Sequence, residues 1–351
     1  MLMGGVLVTK PSLIEWEKVY DDSLSSLKKG KGLGENQQEQ LFDILVRSYN
    51  VLPPQLKPCF LYLSKFMEDE WIDAETLYQL WIAEGMVLSS DKIEGETTMQ
   101  VAESYMGELV HRSMVQVRFN EMESWVTKFK SCSVHDLMRD LSLSQAKAEE
   151  FFVTIDLREG NNFHLNSSVV SQIAEARQLV VYHKRGMQAN SYFITKPNHQ
   201  QYRSILLLNV DSHQSLPPRL GSYLANFKLL RVLALEYARY SRQSVLGTLF
   251  GTKIDSVLGS LIYLRYLSLR GSDMETFPLI HKLVLLQTLK LDKQNIRYRL
   301  PVSSNILGKL AHLRHLYLPS RCLIESGKNF KLRFNGLSKL ETLREFRYYM
   351  V

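Results

Sequence analysis

The sequence has few of the features that mark secreted, membrane-spanning or metal-binding proteins. It contains 3 cysteines in 351 residues, and Cys59, Cys132 and Cys322 are too scattered to form a disulfide framework, which indicates a reducing compartment. The longest apolar runs, such as 205–208, are far shorter than the roughly 20 residues that cross a bilayer. Residues 1–8 are apolar but lack the basic start and the cleavage site of a signal peptide. These absences predict a cytoplasmic protein without an integral membrane segment.

Motifs for catalysis or metal binding are also missing. The glycine-rich stretch 30–34 lacks the G-x-x-x-x-G-K-[ST] spacing of a phosphate-binding loop, and no predicted strand precedes it. The sequence has no nucleophile elbow and no H-E-x-x-H helix. Cys132 and His135 have no second pair of ligands at zinc spacing. The sequence therefore predicts neither an enzyme nor a metal site.

The charge of the chain is divided between its two halves. Residues 1–150 hold 15 Lys and Arg against 24 Asp and Glu, a balance of −9, and residues 151–351 hold 28 against 12, a balance of +16, which together give the +7 of the whole chain. Opposite charges attract across a shared interface, and salt weakens the attraction. We therefore predict a contact between the halves, and two solvated surfaces that never meet are the alternative. No aromatic–basic platform accompanies the basic half, so no nucleic-acid partner is predicted.

Leucines recur along the C-terminal half. The pattern L-x-x-L-x-x-L-x-L begins at Leu261, Leu283 and Leu310, with a shorter copy from Leu230 and a frayed one from Leu337. The matching leucines lie 22, 27 and 27 residues apart, at positions 264, 286, 313 and 340. This period is typical of leucine-rich repeats, in which each L-x-L pair is a short strand that points its leucines into a shared core. The pattern predicts a leucine-rich-repeat solenoid.

Side chains between the leucines are the candidates for recognition, since repeat solenoids usually bind partners on that face. The alternative is a solvated face without a partner. The predicted recognition face consists of Arg265, Tyr266, Arg270, Lys290, Arg314, His315 and Tyr317, with Ser268 and Gln287 beside them. Early, irregular strands are predicted at 177–181 and 203–208.

The N-terminal half has the pattern of helices followed by a β-hairpin. Apolar residues at helical spacing predict a helix that ends near Tyr49, and further helices after Leu56, Asp73 and Thr98. Asp73 is predicted to cap its helix, and Gly85 to end it. Alternating residues then predict a hairpin, at 115–119 and 125–129. This order is typical of a winged helix. The helix after Thr98 carries glutamates and no lysine or arginine, which argues against DNA binding.

A further helix is predicted at the segment that follows the hairpin. Ser133 and Asp136 have the spacing of a capping box, and the N-terminus of such a helix offers free amides to an anion. His135 lies in the predicted first turn, where its ring can donate to a phosphate. The residues alone leave open a capped helix with an incidental histidine.

Three segments together resemble plant intracellular immune receptors of the coiled-coil, nucleotide-binding, leucine-rich-repeat class (NLR disease resistance proteins). They are LPPQLKPCFLYL at 52–63, LWIAEG at 80–85 and VHDL at 134–137. Gly4-Gly5 and residues 13–19 resemble the helical domain that precedes the winged helix in that family. The resemblance covers nearly the whole chain.

The resemblance implies three domains. Residues 1–40 correspond to a remnant of the helical domain of the nucleotide-binding (NB-ARC) region, 41–150 to its winged helix, and 151–351 to the leucine-rich-repeat domain. The expected fold is therefore mixed α and α/β, a helical winged-helix domain followed by a repeat solenoid. Relative to the family, we expect the chain to be truncated at its N-terminus.

The resemblance also implies a nucleotide site. In the family the winged helix packs over a nucleotide bound by an upstream P-loop domain, so the resemblance gives His135 a contact with the β-phosphate of ADP and Asp136 the task of orienting the loop. Val134 stands where the family has methionine. Full-length members bind ADP or ATP, but hydrolysis needs the lysine and the metal that the P-loop and Walker B motifs provide. Because this sequence has neither motif, we expect no cofactor, catalysis or useful nucleotide binding for the chain alone.

The predicted function is that of a fragment of an innate immune receptor acting in plant defence and the hypersensitive response. Its repeats would recognise a protein, either a pathogen effector or a guarded host protein, and would restrain the winged helix. One alternative is a substrate adaptor of a ubiquitin ligase, which would need an F-box-like segment where residues 41–141 match the winged helix better. Another is a gene-model fragment without independent function.

Overall fold

The computed structural model describes two compact units, one that ends at Glu149 and one that begins at Glu150. The described residues are 35–68, 70–120, 128–156, 177–182, 201–210, 224, 227–237, 254–269, 280–291, 298–300, 307–318, 322–324, 336–344 and 348–349. The segments resembling the helical domain, the glycine-rich stretch 30–34 and Arg270 lie outside them. The domain limits 1–40, 41–150 and 151–351 stay predictions.

Within its described residues, the first unit contains five α-helices and three short strands. The helices are α1 Glu35–Asn50, α2 Leu56–Leu63, α3 Ala74–Glu84, α4 Thr98–His111 and α5 Asp136–Ala148. The strands are β1 Ile72–Asp73, β2 Gln116–Phe119 and β3 Phe129–Ser133. Helix α1 ends before the prolines at 53 and 54, as the sequence predicts, because the residue before a proline is disfavoured in helical conformation.

The predicted caps of helix α3 are confirmed. The Oδ1 atom of Asp73 accepts a hydrogen bond from the backbone N–H of Thr76 at 2.8 Å. Gly85 ends the helix at φ +86°, in the left-handed region that favours glycine. Helix α4 has a complete capping box, in which Thr97 and Gln100 each bond the other's backbone N–H.

Strand β3 lies between β1 and β2 in an antiparallel sheet. The first predicted hairpin strand is confirmed by β2, but its partner β3 begins at Phe129, where the predicted strand 125–129 ends, and residues 121–127 lie outside the described ones. Val117 pairs with Cys132, and Ile72 of β1 lies opposite Cys132 on the other side. Cys132 and Ile72 are buried and face the helices, while Arg118 stacks on Trp71 with its guanidinium 3.7 Å from the ring centroid. The sheet therefore covers one side of the helical core.

The second unit is built on parallel strands. Those of the larger sheet are β4 Val153–Asp156, β5 Gln178–Tyr182, β6 Ser204–Val210, β7 Val232–Tyr237, β8 Tyr266–Ser268, β9 Thr288–Lys290, β11 His315–Tyr317 and β13 Thr342–Arg344. They neighbour one another in chain order. A smaller parallel sheet joins β10 Tyr298–Leu300, β12 Cys322–Ile324 and β14 Tyr348–Tyr349. Helix α6 covers Ile254–Ser260.

The recurring leucines form the core of this unit, which confirms the sequence pattern. In each repeat the backbone N–H of the second leucine donates to the carbonyl of the first, for example Leu264 to Leu261 at 2.9 Å. The leucines at these two positions and in the following strands are 0–2% exposed from 261 to 318. Leu340, in the frayed copy, is only partly buried against the same core. Each repeat therefore buries its leucines against those of its neighbours.

Candidate functional site

The first candidate site is the N-terminus of helix α5. The helix begins at Asp136, and His135 is the N-cap at φ −66° and ψ 147°. The His135 side chain makes no capping hydrogen bond and is exposed, as is Asp136. The predicted cap at Ser133 is corrected by the structure, because Ser133 is the last residue of β3, is buried and lies opposite Gln116. The spacing of Ser133 and Asp136 predicted a helix cap at Ser133, but strand β3 extends to that residue.

Helix α2 and the residues just after it hold the first half of α5 in place. The Oγ atom of Ser142 donates to the carbonyl of Phe60 at 3.2 Å, and the Nε atom of Arg139 donates to the carbonyl of Phe66 at 3.1 Å. Met138 and Leu141 are buried on the same side, and the neighbouring Val134 is 7% exposed. The backbone at His135 is thus fixed between a buried strand end and an anchored helix.

This arrangement can offer an anion the first amides of α5 and one imidazole. The carboxylate of Asp136 already lies in the first turn, where the helix dipole favours negative charge. Charge-assisted contacts of this kind contribute about 1–3 kcal/mol. Millimolar affinity corresponds to roughly 4 kcal/mol. The site therefore needs further phosphate contacts to hold a nucleotide.

The second candidate site is the face of the large sheet that points away from the leucines. The parallel register aligns Tyr266, Thr288, His315 and Thr342 in one column across β8, β9, β11 and β13. A second column, two residues further along each strand, holds Ser268, Lys290, Tyr317 and Arg344. Neighbouring members of a column are about 4.8 Å apart, the spacing of paired strands. The predicted residues of three repeats are therefore brought together, and a fourth repeat extends both columns.

Lys290 occupies the centre of these columns. Its Nζ atom lies 4.7 Å from the ring centroid of Tyr317 and 5.7 Å from that of Tyr266. Both distances fall within the range in which a cation is attracted to an aromatic face. Lys290 is 8% exposed and Tyr266 is 0% exposed. The cation is held at a fixed place on the sheet.

His315 lies beside this cation and is also buried. Its Nδ1 atom is 3.1 Å from Oγ1 of Thr342, and its Nε2 atom is 4.0 Å from Oε2 of Glu341. Burial lowers the pKa of His315 to about 4, although Glu341 opposes the shift. Glu341 also pairs with Arg314. The imidazole is therefore neutral near pH 7, and the charge at this point of the face belongs to Lys290 and the arginines.

The predicted recognition residues divide by exposure. Tyr266, Lys290 and His315 are buried, and Arg265, Arg314 and Tyr317 are half-buried. The exposed Arg344 completes the second column and was not predicted. What the face binds stays a prediction.

The structure also aligns arginines that the sequence reasoning only partly identified. The residue before each strand donates its backbone N–H to the carbonyl of the equivalent residue one repeat earlier, as Arg231 does to Arg203 and Arg265 does to Arg231, both at 2.7 Å. The arginine column comprises Arg177, Arg203, Arg231, Arg265 and Arg314, while Gln287 and Glu341 hold the equivalent positions before β9 and β13. Only Arg265 and Arg314 were predicted. The signal for the others was their shared position directly before each strand.

Among the helices in the described ranges, none combines the length and the apolar composition that a bilayer-spanning segment needs. The same described segments contain no group of three or more His, Cys, Asp or Glu side chains placed to hold a metal ion.

Comparison with known proteins supplies the family. Residues 66–142 match the winged helix domain of disease resistance proteins, and residues 201–351 match a leucine-rich repeat region. Among similar Arabidopsis thaliana proteins, probable disease resistance RPP8-like protein 2 is 31% identical over 348 residues, 98% of this chain and 35% of that protein. Disease resistance protein RPP8 is 30% identical over 349 residues, 98% of this chain and 34% of that protein.

The probable disease resistance protein RXW24L, also from Arabidopsis thaliana, is 31% identical over 346 residues, again 98% of this chain and 35% of that protein. The chain thus spans about a third of the length of the curated relatives it matches. With two family regions in the expected order and relatives that match nearly its whole length, the chain belongs to the plant nucleotide-binding leucine-rich-repeat disease resistance proteins.

Proposed function

We propose that this chain is the recognition and restraint part of a plant immune receptor. Its repeats form a solenoid that contacts a protein partner, and its winged helix responds to the state of a nucleotide held elsewhere in the receptor. The chain itself catalyses no reaction. The observation that carries the proposal is the in-register cationic and aromatic face of the repeats.

The partner surface consists of the more exposed side chains around the buried centre. Lys290, Tyr266 and His315 are fixed by burial and by one another, so they form a rigid floor. Arg314, Tyr317 and Arg344 lie around that floor and are more accessible. Aromatic and arginine side chains are the types enriched at the energetic centres of protein interfaces. A partner with acidic groups fits this face, because lysine and arginine prevail on it.

The opposite net charges of the two halves support a restraining contact between them, at −9 and +16. Attraction of this kind weakens with salt and with charge reversal. Removing the restraint would free the winged helix to change state. A partner that covers the basic repeats would have the same effect, which links recognition to activation.

His135 and Asp136 are assigned to nucleotide sensing in the complete receptor. Their exposure leaves them accessible to a phosphate, and α2 fixes the backbone that presents them. The nucleotide itself requires P-loop residues that this sequence lacks. A calorimetric titration of the chain with ADP, beside His135→Ala, is expected to show no binding tighter than roughly 100 μM. Tighter binding that is lost in the variant would contradict this assignment.

The match to a disease resistance winged helix at 66–142 favours the receptor over a ubiquitin-ligase adaptor, which needs an F-box-like segment in its place.

Hydrogen exchange of the whole chain tests the restraint. Charge reversal by Arg265→Glu with Arg314→Glu is expected to speed amide exchange in the acidic segment 91–111 at low salt, and high salt should speed it in the unaltered chain. Lys130→Glu, an exposed change in β3, is the matched control and should leave exchange of that segment as it was. Equal exchange in all three proteins at low salt would refute the contact.

A further inference from the structure

The L-x-x-L turns of the repeats form an exposed apolar row that the recognition face does not include. Each turn is closed by a hydrogen bond between its last and first residues, at 3.0 Å from Leu230 to Phe227, 2.9 Å from Leu264 to Leu261 and 3.0 Å from Leu286 to Leu283, with Phe227 in the place of the first leucine. The closing residues point into the core. The two central residues of each turn therefore point outward.

Those outward positions hold large apolar side chains in three successive turns. Leu229 is 45% exposed, Ile262 48%, Tyr263 46% and Val284 50%. Strands β7, β8 and β9 are direct neighbours, so the turns that lead into them also lie side by side. At about 4.8 Å per strand, the row is roughly 10 Å long. Four large apolar groups aligned on one exposed edge mark an interaction surface more specifically than scattered ones do.

The charge beside this apolar row is of one sign. The turn and pre-strand segments 227–232, 261–266, 283–288 and 310–315 contain no Asp or Glu. Lys228 is exposed within the first turn, and the exposed Lys282 and Lys309 come directly before later ones. Arg231 and Arg265 follow the apolar residues by two positions, as part of the arginine column.

Apolar side chains lie at the tips of the turns, with one cation in the first turn and others next to the turns in sequence. Long lysine and arginine stems can extend along apolar surface while their charged ends reach phosphate groups. A peripheral protein binds an anionic bilayer in the same way, with apolar groups at the acyl boundary and each nearby cation adding attraction. Tyr263 suits that boundary as well, because its ring is apolar and its hydroxyl polar. An acidic protein alone would be held by the cations and gives no reason for the exposed Ile262 and Val284.

We propose that the apolar row and its flanking cations form a docking surface for an anionic lipid membrane. The surface holds the repeats at the bilayer without crossing it. It lies on the turns, apart from the columns on the sheet face, so membrane contact and protein recognition use different residues.

The first unit supplies a matched control. Leu88 is 44% exposed and Ile93 is 70% exposed, but three acidic residues, Asp91, Glu94 and Glu96, outnumber the single cation Lys92 around them in sequence. Leu88 is about as accessible as the residues of the row, and Ile93 is more accessible. Their acidic surroundings repel an anionic surface, so they should not enter it.

Co-sedimentation with vesicles tests the proposal. The whole chain is expected to sediment with vesicles of phosphatidylcholine mixed with phosphatidylserine, and to sediment much less with phosphatidylcholine alone. Ile262→Ser with Val284→Ser should lower the vesicle binding constant by at least about tenfold, since each change removes apolar area from the acyl boundary. Leu88→Ser with Ile93→Ser should keep it within about twofold. Far-ultraviolet circular dichroism checks that each variant is folded.

A second double variant changes charged residues and leaves the apolar core unaltered. Lys228→Glu with Lys282→Glu, both at exposed positions, should also lower the binding constant by at least about tenfold at low salt. Failure of the unaltered chain to bind phosphatidylserine vesicles would overturn the proposal. Equal losses of vesicle binding in Ile262→Ser with Val284→Ser and in Leu88→Ser with Ile93→Ser would also overturn it. Binding of polyglutamate, but not of vesicles, would assign the surface to an acidic protein instead.

Discussion

The buried pair of Lys65 and Glu84 gives a sharp test of the energetics of the first unit. Lys65 is 0% exposed, its Nζ atom is 3.9 Å from Oε1 of Glu84, and the ring centroid of Tyr62 is 3.8 Å from the same Nζ. Burial lowers the pKa of Lys65 to about 8, with Glu84 opposing the shift. Removing one partner of a buried ion pair costs about 3–5 kcal/mol, because the other charge stays buried. Replacing both with apolar residues is often neutral or stabilising.

We therefore expect Lys65→Met to lower the free energy of unfolding by about 3 kcal/mol or more. Lys65→Met with Glu84→Met should recover most of that loss, within about 1 kcal/mol of the unaltered protein. Urea unfolding followed by tryptophan fluorescence isolates the relevant unit, because all four tryptophans precede residue 150. Lys130→Met, at an exposed position of β3, is the matched control and should change little. A double variant as unstable as the sum of its single variants would refute the reasoning.

The pKa of Lys65 adds a pH dependence with a defined sign. The folded pKa of about 8 lies below the ordinary value of 10.5, so the folded state loses the proton first as pH rises. The contribution of Lys65 to stability therefore increases between about pH 8 and pH 10.5 and is constant below that window. The difference in unfolding free energy between the unaltered protein and the double variant should change across this window. A difference independent of pH would contradict the assigned titration.

Further changes test the repeats and the caps. Leu267→Ala should lower the free energy of unfolding by about 2–5 kcal/mol in circular dichroism denaturation, because the side chain is 0% exposed. Leu343→Ala, at a position 43% exposed, should cost under about 1 kcal/mol. Equal losses would contradict the shared leucine core. Asp73→Ala should cost about 1 kcal/mol in tryptophan-monitored urea unfolding, since it removes the cap of α3; no loss would show that the cap adds nothing. The folded pKa of His315, about 4, lies below the ordinary 6.5, so its contribution is complete above pH 6.5 and is lost as pH falls toward 4. His315→Leu should remove that part of the acid sensitivity in circular dichroism melts, and the charges of Glu341, Lys290 and Arg314 beside it stay in the variant. The same acid sensitivity in the variant would refute this assignment.

The leucine core and the caps of α3 were predictable because each follows from a local rule. The spacing of leucines sets which side chains face inward, and Asp73 and Gly85 have the residue types that helix ends favour. The first strand of the hairpin followed from alternation, but the limits of β3 and the existence of β1 did not. Its two residues, Ile72 and Asp73, pair with β3 only through the fold, so no pattern in the sequence marks them.

The candidate sites were predictable in position but not in environment. Sequence alternation places Tyr266, Lys290 and His315 on the face away from the leucines, and the register confirms this. Sequence alternation cannot show that all three side chains are buried, because burial depends on what lies over that face. Ser133 was assigned to a helix cap on local spacing, whereas pairing with β2 keeps it in a strand.

The most direct test of the central claim uses a complete receptor. The matched region of the Arabidopsis RPP8 protein is replaced by this chain, and the chimera is expressed in leaf tissue beside the same chimera carrying Arg265→Glu and Arg314→Glu. We predict that the first chimera stays silent and that the second, which has lost the restraint, causes cell death without a pathogen. If the charge-reversed chimera accumulates to the same level and stays silent, the basic repeats do not restrain the receptor.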